Sequence, residues 1–235
     1  MMTSSTEREK VARATEHGSS RLSFALRYRM DRVPLPWQPL YLLYGYGLGL
    51  LSFLYSALVH ATSRFELRGG HALTTGQPQL LAMWHEYAWP YLVTFRRHTR
   101  HAWLAHPYWY NKPGHVALRL LGVERLLLGS TGNDGRQVAE QLLRHLCAGG
   151  STMLTPDAPS GPARQLHNGI LHLSAQSGIA ISPLRFECSR AIRLRGWDAK
   201  WIPLPFGKIT VVFGEPLHVD PAELGAAASV LAARL

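Results

Sequence analysis

Cysteine is scarce in this chain, with only Cys147 and Cys188 in 235 residues. That excludes a disulfide framework and suits a reducing compartment, one bridge being the most that two cysteines allow. Both lie among apolar neighbours, which predicts buried packing rather than a reactive thiol. Acidic residues are also few, 15 against 25 Lys and Arg, for a net charge of +10. Such an excess favours anionic partners, whether membrane surfaces, phosphorylated substrates and carriers, or nucleic acid. Nucleic acid is set aside because no recognition motif or lysine-rich stripe accompanies the charge. Between Val33 and Ser63 charge is missing altogether, and Leu, Tyr, Phe and Trp dominate.

That uncharged run is long enough to span a bilayer, which takes roughly 20 apolar residues. Pro34, Pro36 and Pro39 break its start, and Gly45, Gly47 and Gly49 interrupt its middle. Two short apolar helices that dip into one leaflet and leave by the same side are therefore predicted. A transmembrane helix and a buried core helix are the other readings. Trp37, Tyr41, Tyr44 and Tyr55 favour the headgroup level, and Phe53 joins them as a membrane-contact candidate. Arg29 and Arg32 precede the run and Arg64 and Arg68 follow it, so tight membrane association is expected. The preceding arm mixes basic and acidic residues with no apolar core or cleavage site, unlike a secretory signal.

From Arg64 onward the pattern alternates strands and helices. Strands are predicted at 78–84, 101–106, 125–128, around Met153, at 179–186 and at 209–213, with helices at 87–97, 115–121, 136–147 and 170–177. This implies an α/β fold, a mixed and largely parallel sheet flanked by helices, behind an N-terminal apolar helical segment. Four regions follow: a basic arm at 1–32, the apolar segment at 33–63, the α/β domain at 64–219 and a C-terminal helix at 220–235.

The densest local signal is Thr155-Pro156-Asp157-Ala158-Pro159-Ser160-Gly161-Pro162-Ala163-Arg164. Three prolines and a glycine stop the preceding strand abruptly. The loop thus presents Asp157 and Arg164 at a strand end, where α/β proteins build sites. His85 ends another buried strand, and a histidine there has the pKa to accept a hydroxyl proton near neutrality. His98, His101 and His106 fit no tight zinc spacing, and no metal site is expected.

Read in order, Met83-Trp84-His85, Leu128-Gly129-Ser130, the loop from Thr155, Ser177-Gly178-Ile179-Ala180-Ile181-Ser182-Pro183, Gly196-Trp197-Asp198 and Pro203-Leu204-Pro205-Phe206-Gly207 form a pattern. It resembles the lysophospholipid acyltransferase superfamily, and more narrowly a bacterial branch catalogued as a domain of unknown function. The resemblance covers about Leu80 to Val219. It implies transfer of a fatty acyl group from an acyl thioester, acyl-CoA or an acyl carrier protein, to a hydroxyl or amine of a lipid-like acceptor, on the cytoplasmic face of the inner membrane. No cofactor is implied beyond the thioester co-substrate, and the oligomeric state stays open. His85 matches the general base. Gly129, Ser130, Asp157, Gly161, Pro162 and Arg164 fall to the acceptor-side motifs, with Arg125 the nearest substitute for the second-motif arginine, Ser182 and Pro183 to the motif beside the acyl pocket, and Trp197 and Asp198 line the site.

The chain departs from the pattern in informative places. The superfamily places an aspartate five residues after its histidine, and here that position is Pro90. Glu86, Asp157 and Asp134 are the candidates to replace it. The second-motif arginine is Leu128, and the usual Asp-Gly-Pro is Asp157-Ala158-Pro159. A catalytically degenerate protein of the same fold, binding lipid or acyl carrier without turnover, is therefore the alternative.

Overall fold

The computed structural model describes residues 29–69, 77–96, 101–129, 135–158 and 161–235. The uncharged run forms one continuous helix, α1 (Gln38–Thr62), where two short ones were predicted. Pro39 falls in its first turn, where the missing N–H costs no hydrogen bond. The glycines do not interrupt it because they serve a neighbour. Gly49 lies against the helix Lys112–Leu120, and a Cβ there would stand 2.6 Å from the Val116 Cβ. Only hydrogen lets the two helices approach so closely.

The same inward side of α1 carries polar groups that reach the body of the protein. Tyr44, Tyr55, Ser56 and His60 pair with the backbone carbonyls of Tyr110, Pro203, Leu92 and Val93, at 2.8 to 3.2 Å. The outward side is leucine, with Leu43, Leu51, Leu54 and Leu58 all more than half exposed. Among the described residues α1 is the one helix long and apolar enough to cross a membrane. Tyr44 and Tyr55 thus point toward protein carbonyls, while Trp37 is exposed and the Arg96 guanidinium covers the Phe53 ring at 5.2 Å. Tyr41 is half-buried beside the Lys112 ammonium.

The strands are β1 (Arg64–Arg68), β2 (Leu80–Ala82), β3 (His101–Ala105), β4 (Arg125–Leu128), β5 (Ser151–Leu154), β6 (Ile181–Cys188), β7 (Ala191–Arg193), β8 (Trp201–Pro203) and β9 (Lys208–Phe213). Seven form one sheet in the order β1-β9-β6-β2-β5-β3-β4. Every neighbouring pair in it is parallel except β6 with β9. β7 and β8 make a separate antiparallel hairpin. The remaining helices are α2 (Ala88–Thr94), α3 (Lys112–Leu120), α4 (Gly135–Cys147), α5 (Gly169–Ser177) and α6 (Leu224–Arg234). The fold is α/β with a mixed, mostly parallel sheet, as the alternating pattern predicted.

β2 is buried along its whole length, and its unbroken apolar run suits a strand covered on both faces. Leu80, Leu81, Met83, Leu171, Ile181 and Leu184 pack around it with almost no exposure. Ala82 pairs with Leu154 of β5 on one side and Pro183 of β6 on the other. The chain leaving β2 therefore emerges between two parallel neighbours, at a sheet edge where α/β folds place ligands.

β1 and the β7–β8 hairpin carried no strand signal, because β1 carries three charged residues in five with no buried position and the hairpin strands are three residues each and mostly unburied. The prediction of two buried cysteines is corrected for Cys147, which is exposed at the end of α4. Cys188 is half-buried, and burial pushes its thiol up to about 12.

Candidate active site

His85 opens a single 3-10 turn, His85–Tyr87, directly after β2. Trp84 keeps extended geometry, so the chain turns at the histidine and Pro90 enters the first turn of α2. The Nδ1 atom of His85 lies 2.6 Å from Oδ2 of Asp198. Asp198 sits in the loop joining β7 and β8, 113 residues along the chain. Nδ1–H donating to that carboxylate leaves the Nε2 lone pair free, the tautomer a general base requires.

The Asp198 carboxylate is almost buried and also holds Lys200, whose Nζ is 2.5 Å from the same Oδ2. Burial alone would raise the Asp198 pKa, but hydrogen bonds from Lys200 and His85 outweigh it and hold the carboxyl below its ordinary value. His85 is pushed the other way. Burial, then the Lys200 charge, lower its pKa below the usual imidazole value, against the opposing pull of Asp198 and Asp157. The ring is therefore neutral at pH 7, ready to accept a proton. Trp197 stacks on it at 5.3 Å between centroids and 11° between planes. Gly161 makes that stack possible: its φ is +73°, and a Cβ there would come within 2.6 Å of the Trp197 ring.

Asp157 braces this turn from beneath. It is 1% exposed, its Oδ1 accepts the His85 backbone N–H at 3.0 Å, and its Oδ2 accepts that of Arg164 at 3.0 Å. Glu86 turns away from the histidine and receives Arg164, Nη2 to Oε1 at 2.7 Å. Neither acid contacts the His85 ring, so both readings of a base partner give way to Asp198. The 3-10 turn rotates Glu86 toward the loop from Thr155, and Asp157 spends both oxygens on backbone amides.

The site residues gather around a cleft of about 1000 Å³ lined by His85, Gly161, Trp197 and Lys200 at one end. Trp89, Leu92, Trp103, Leu118 and Leu121 give it apolar walls, and Ser52 and Ser56 of α1 close one side. His115 also lines the cleft, and burial and the nearby Lys112 push its pKa down to about 4 and keep it neutral.

Ser182 and Pro183 lie level with Leu81 and Ala82, one strand over and beneath the turn. Gly129 is buried at the end of β4, its N–H donated to Ala105 at 3.1 Å. Pro162 is exposed beside Gly161. Arg125 is not brought to the site: it starts β4, level with Ala102, while the cleft borders the other end of β3, and it faces Glu124 at 3.9 Å. Ser130 and Asp134 lie outside the described residues. Lys200 was missed by sequence reasoning, and its only signal was two-residue spacing from Asp198.

No family model matches the chain. An uncharacterized protein of Rickettsia prowazekii (strain Madrid E) is 27% identical over 173 residues, which cover 72% of this chain and 79% of that protein. Among solved structures, the 1-acyl-sn-glycerophosphate acyltransferase PlsC of Thermotoga maritima is similar at a TM-score of 0.46 and 15% identity, over 92% of this chain and 86% of that one.

Proposed function

We propose that the protein is a membrane-associated acyltransferase that moves a fatty acyl group from an acyl thioester to a hydroxyl or amine of a lipid-like acceptor, with His85 as general base. One observation carries the reading: His85, on the wall of a cleft with apolar lining, forms a 2.6 Å pair with Asp198. The motif resemblance around His85, Asp157 and Trp197-Asp198 narrows the chemistry to acyl transfer. The absence of an aspartate at Pro90 was the ground for a degenerate protein, and Asp198 supplies the missing carboxylate from another part of the chain.

In this mechanism the acceptor O–H donates to His85 Nε2, and its oxygen attacks the thioester carbonyl carbon. The proton moves to the imidazole, and Asp198 stabilises the imidazolium that forms. The tetrahedral oxyanion collapses, the C–S bond breaks, and the departing thiolate takes the proton back. The apolar walls suit the acyl chain. The +10 charge suits a phosphorylated donor such as acyl-CoA or an acidic carrier protein. The leucine face of α1 supports a helix that lies in one leaflet of the inner membrane on its cytoplasmic side, where thioesters are made. Purified protein in detergent, with an acyl thioester and a panel of lysolipid and amine acceptors, is expected to release free thiol. Equal release by wild type and His85→Ala across the panel would falsify the catalytic reading.

A further inference from the structure

The β7–β8 hairpin carries more apolar surface than its size requires. Ile192 is 53% exposed, Leu194 47% and Phe206 73%, and Trp197 in the connecting loop is 39% exposed. Exposed side chains of this size on one small element mark a contact surface. Basic residues surround it. Arg190, Arg193 and Arg195 are all exposed, and Asp198 is the one acidic residue between 189 and 207. That single carboxylate is buried on His85 and Lys200, so the outer face of the hairpin presents positive charge alone. Two arginines are held in place: Arg190 Nη1 donates to Pro205 O at 3.2 Å, and the Arg193 guanidinium lies 4.3 Å above the Trp201 ring.

The hairpin is also fastened to α1. Tyr55 donates to Pro203 O at 2.8 Å, and the Phe206 N–H points at Thr62 Oγ1 at 3.4 Å. Both anchors lie in the second half of α1, whose outward face carries Leu51, Leu54 and Leu58. A leucine face and an apolar, arginine-rimmed hairpin thus adjoin on one molecule.

We infer that residues 189–207 form a second lipid-docking element, seated on an anionic bilayer surface next to α1. Ile192, Leu194 and Phe206 enter the headgroup region, and Arg190, Arg193 and Arg195 pair with lipid phosphates. The segment that docks also carries Trp197, Asp198 and Lys200, so docking brings the partner of His85 to the lipid surface. This docking requires no turnover, and it is measured without any acyl donor, so its failure is separate from failure of the acyltransferase reading.

The test is hydrogen–deuterium exchange on the full chain, with and without vesicles of equal parts phosphatidylglycerol and phosphatidylcholine. Vesicles are expected to protect the amides of 190–206 together with those of α1. Protection confined to α1 overturns the proposal. Protection that appears without vesicles and grows with protein concentration also overturns it, assigning the face to a second copy of the chain. Vesicle co-sedimentation gives the second measurement. I192S/L194S/F206S is expected to weaken binding at least tenfold. R190Q/R193Q/R195Q is expected to weaken it about five-fold per arginine at low salt on the anionic vesicles, and not on pure phosphatidylcholine. An equal loss on both vesicles removes the electrostatic half of the inference.

Discussion

Asp198 Oδ2 serves two partners at once, the neutral His85 imidazole and the Lys200 ammonium, and the balance between them decides how the proposed base behaves. Asp198→Asn removes the charge and releases the tautomer, so kcat is expected to fall on the order of 10²- to 10⁴-fold, measured as thiol release under saturating donor. Lys200→Met is expected to act differently. With His85 as the proposed base, its neutral form is the active one, so activity is expected to be lost as pH falls through its folded pKa. Burial and Lys200 lower that pKa, while Asp198 and Asp157 raise it. Deleting the lysine therefore moves the acid limb of the kcat/KM profile to higher pH, and an unmoved limb refutes the argument. His85 and Asp157 were legible because each ends a short apolar strand in a distinctive motif. The Asp198 pairing was not, because contact across 113 residues leaves no local trace. Adjacency misled at Glu86, whose side chain the 3-10 turn delivers to Arg164 instead.

At the level of elements, α1 shows why a glycine-interrupted run can still be one helix. Glycine weakens an isolated helix by about 1 kcal/mol per residue, and that penalty suggested a break. In the folded protein Gly49 repays it as a contact point for Val116 of α3, which sequence periodicity along α1 alone cannot reveal. Gly49→Leu is expected to cost about 1–3 kcal/mol through overpacking at that crossing, read from the urea midpoint. It should also loosen the Ser52 and Ser56 side of the cleft, raising KM more than it lowers kcat. The central strands were visible in sequence because burial on both faces leaves an unbroken apolar run, as in Leu80-Leu81-Ala82. The β7–β8 hairpin was invisible because its strands are three residues each, with only Pro203 buried, and show no unbroken apolar run.

Over the whole molecule, positive charge and exposed leucine act together. On the proposed membrane-associated reading, the net charge of +10 favours anionic surfaces, and the outward face of α1 offers apolar area to bury there. L51S/L54S/L58S is expected to cost about 1–2 kcal/mol of transfer energy per leucine. The vesicle partition coefficient read from sedimentation should then fall on the order of 10²- to 10⁴-fold. Near-UV circular dichroism should be unchanged, since these side chains touch the core little.

The polar side of α1 has a consequence for the helix on its own. Tyr44, Tyr55, Ser56 and His60 find their partners only in residues between 92 and 203, most of which follow α1 by many residues during synthesis. A lone α1 inserted across hydrocarbon would hold these groups without partners, each unsatisfied group costing several kcal/mol. On the proposed membrane-associated reading, α1 is therefore expected to depend on the folded domain: a peptide of 35–63 alone should partition into vesicles less stably than its leucine content predicts, because these polar groups lack their carbonyl partners.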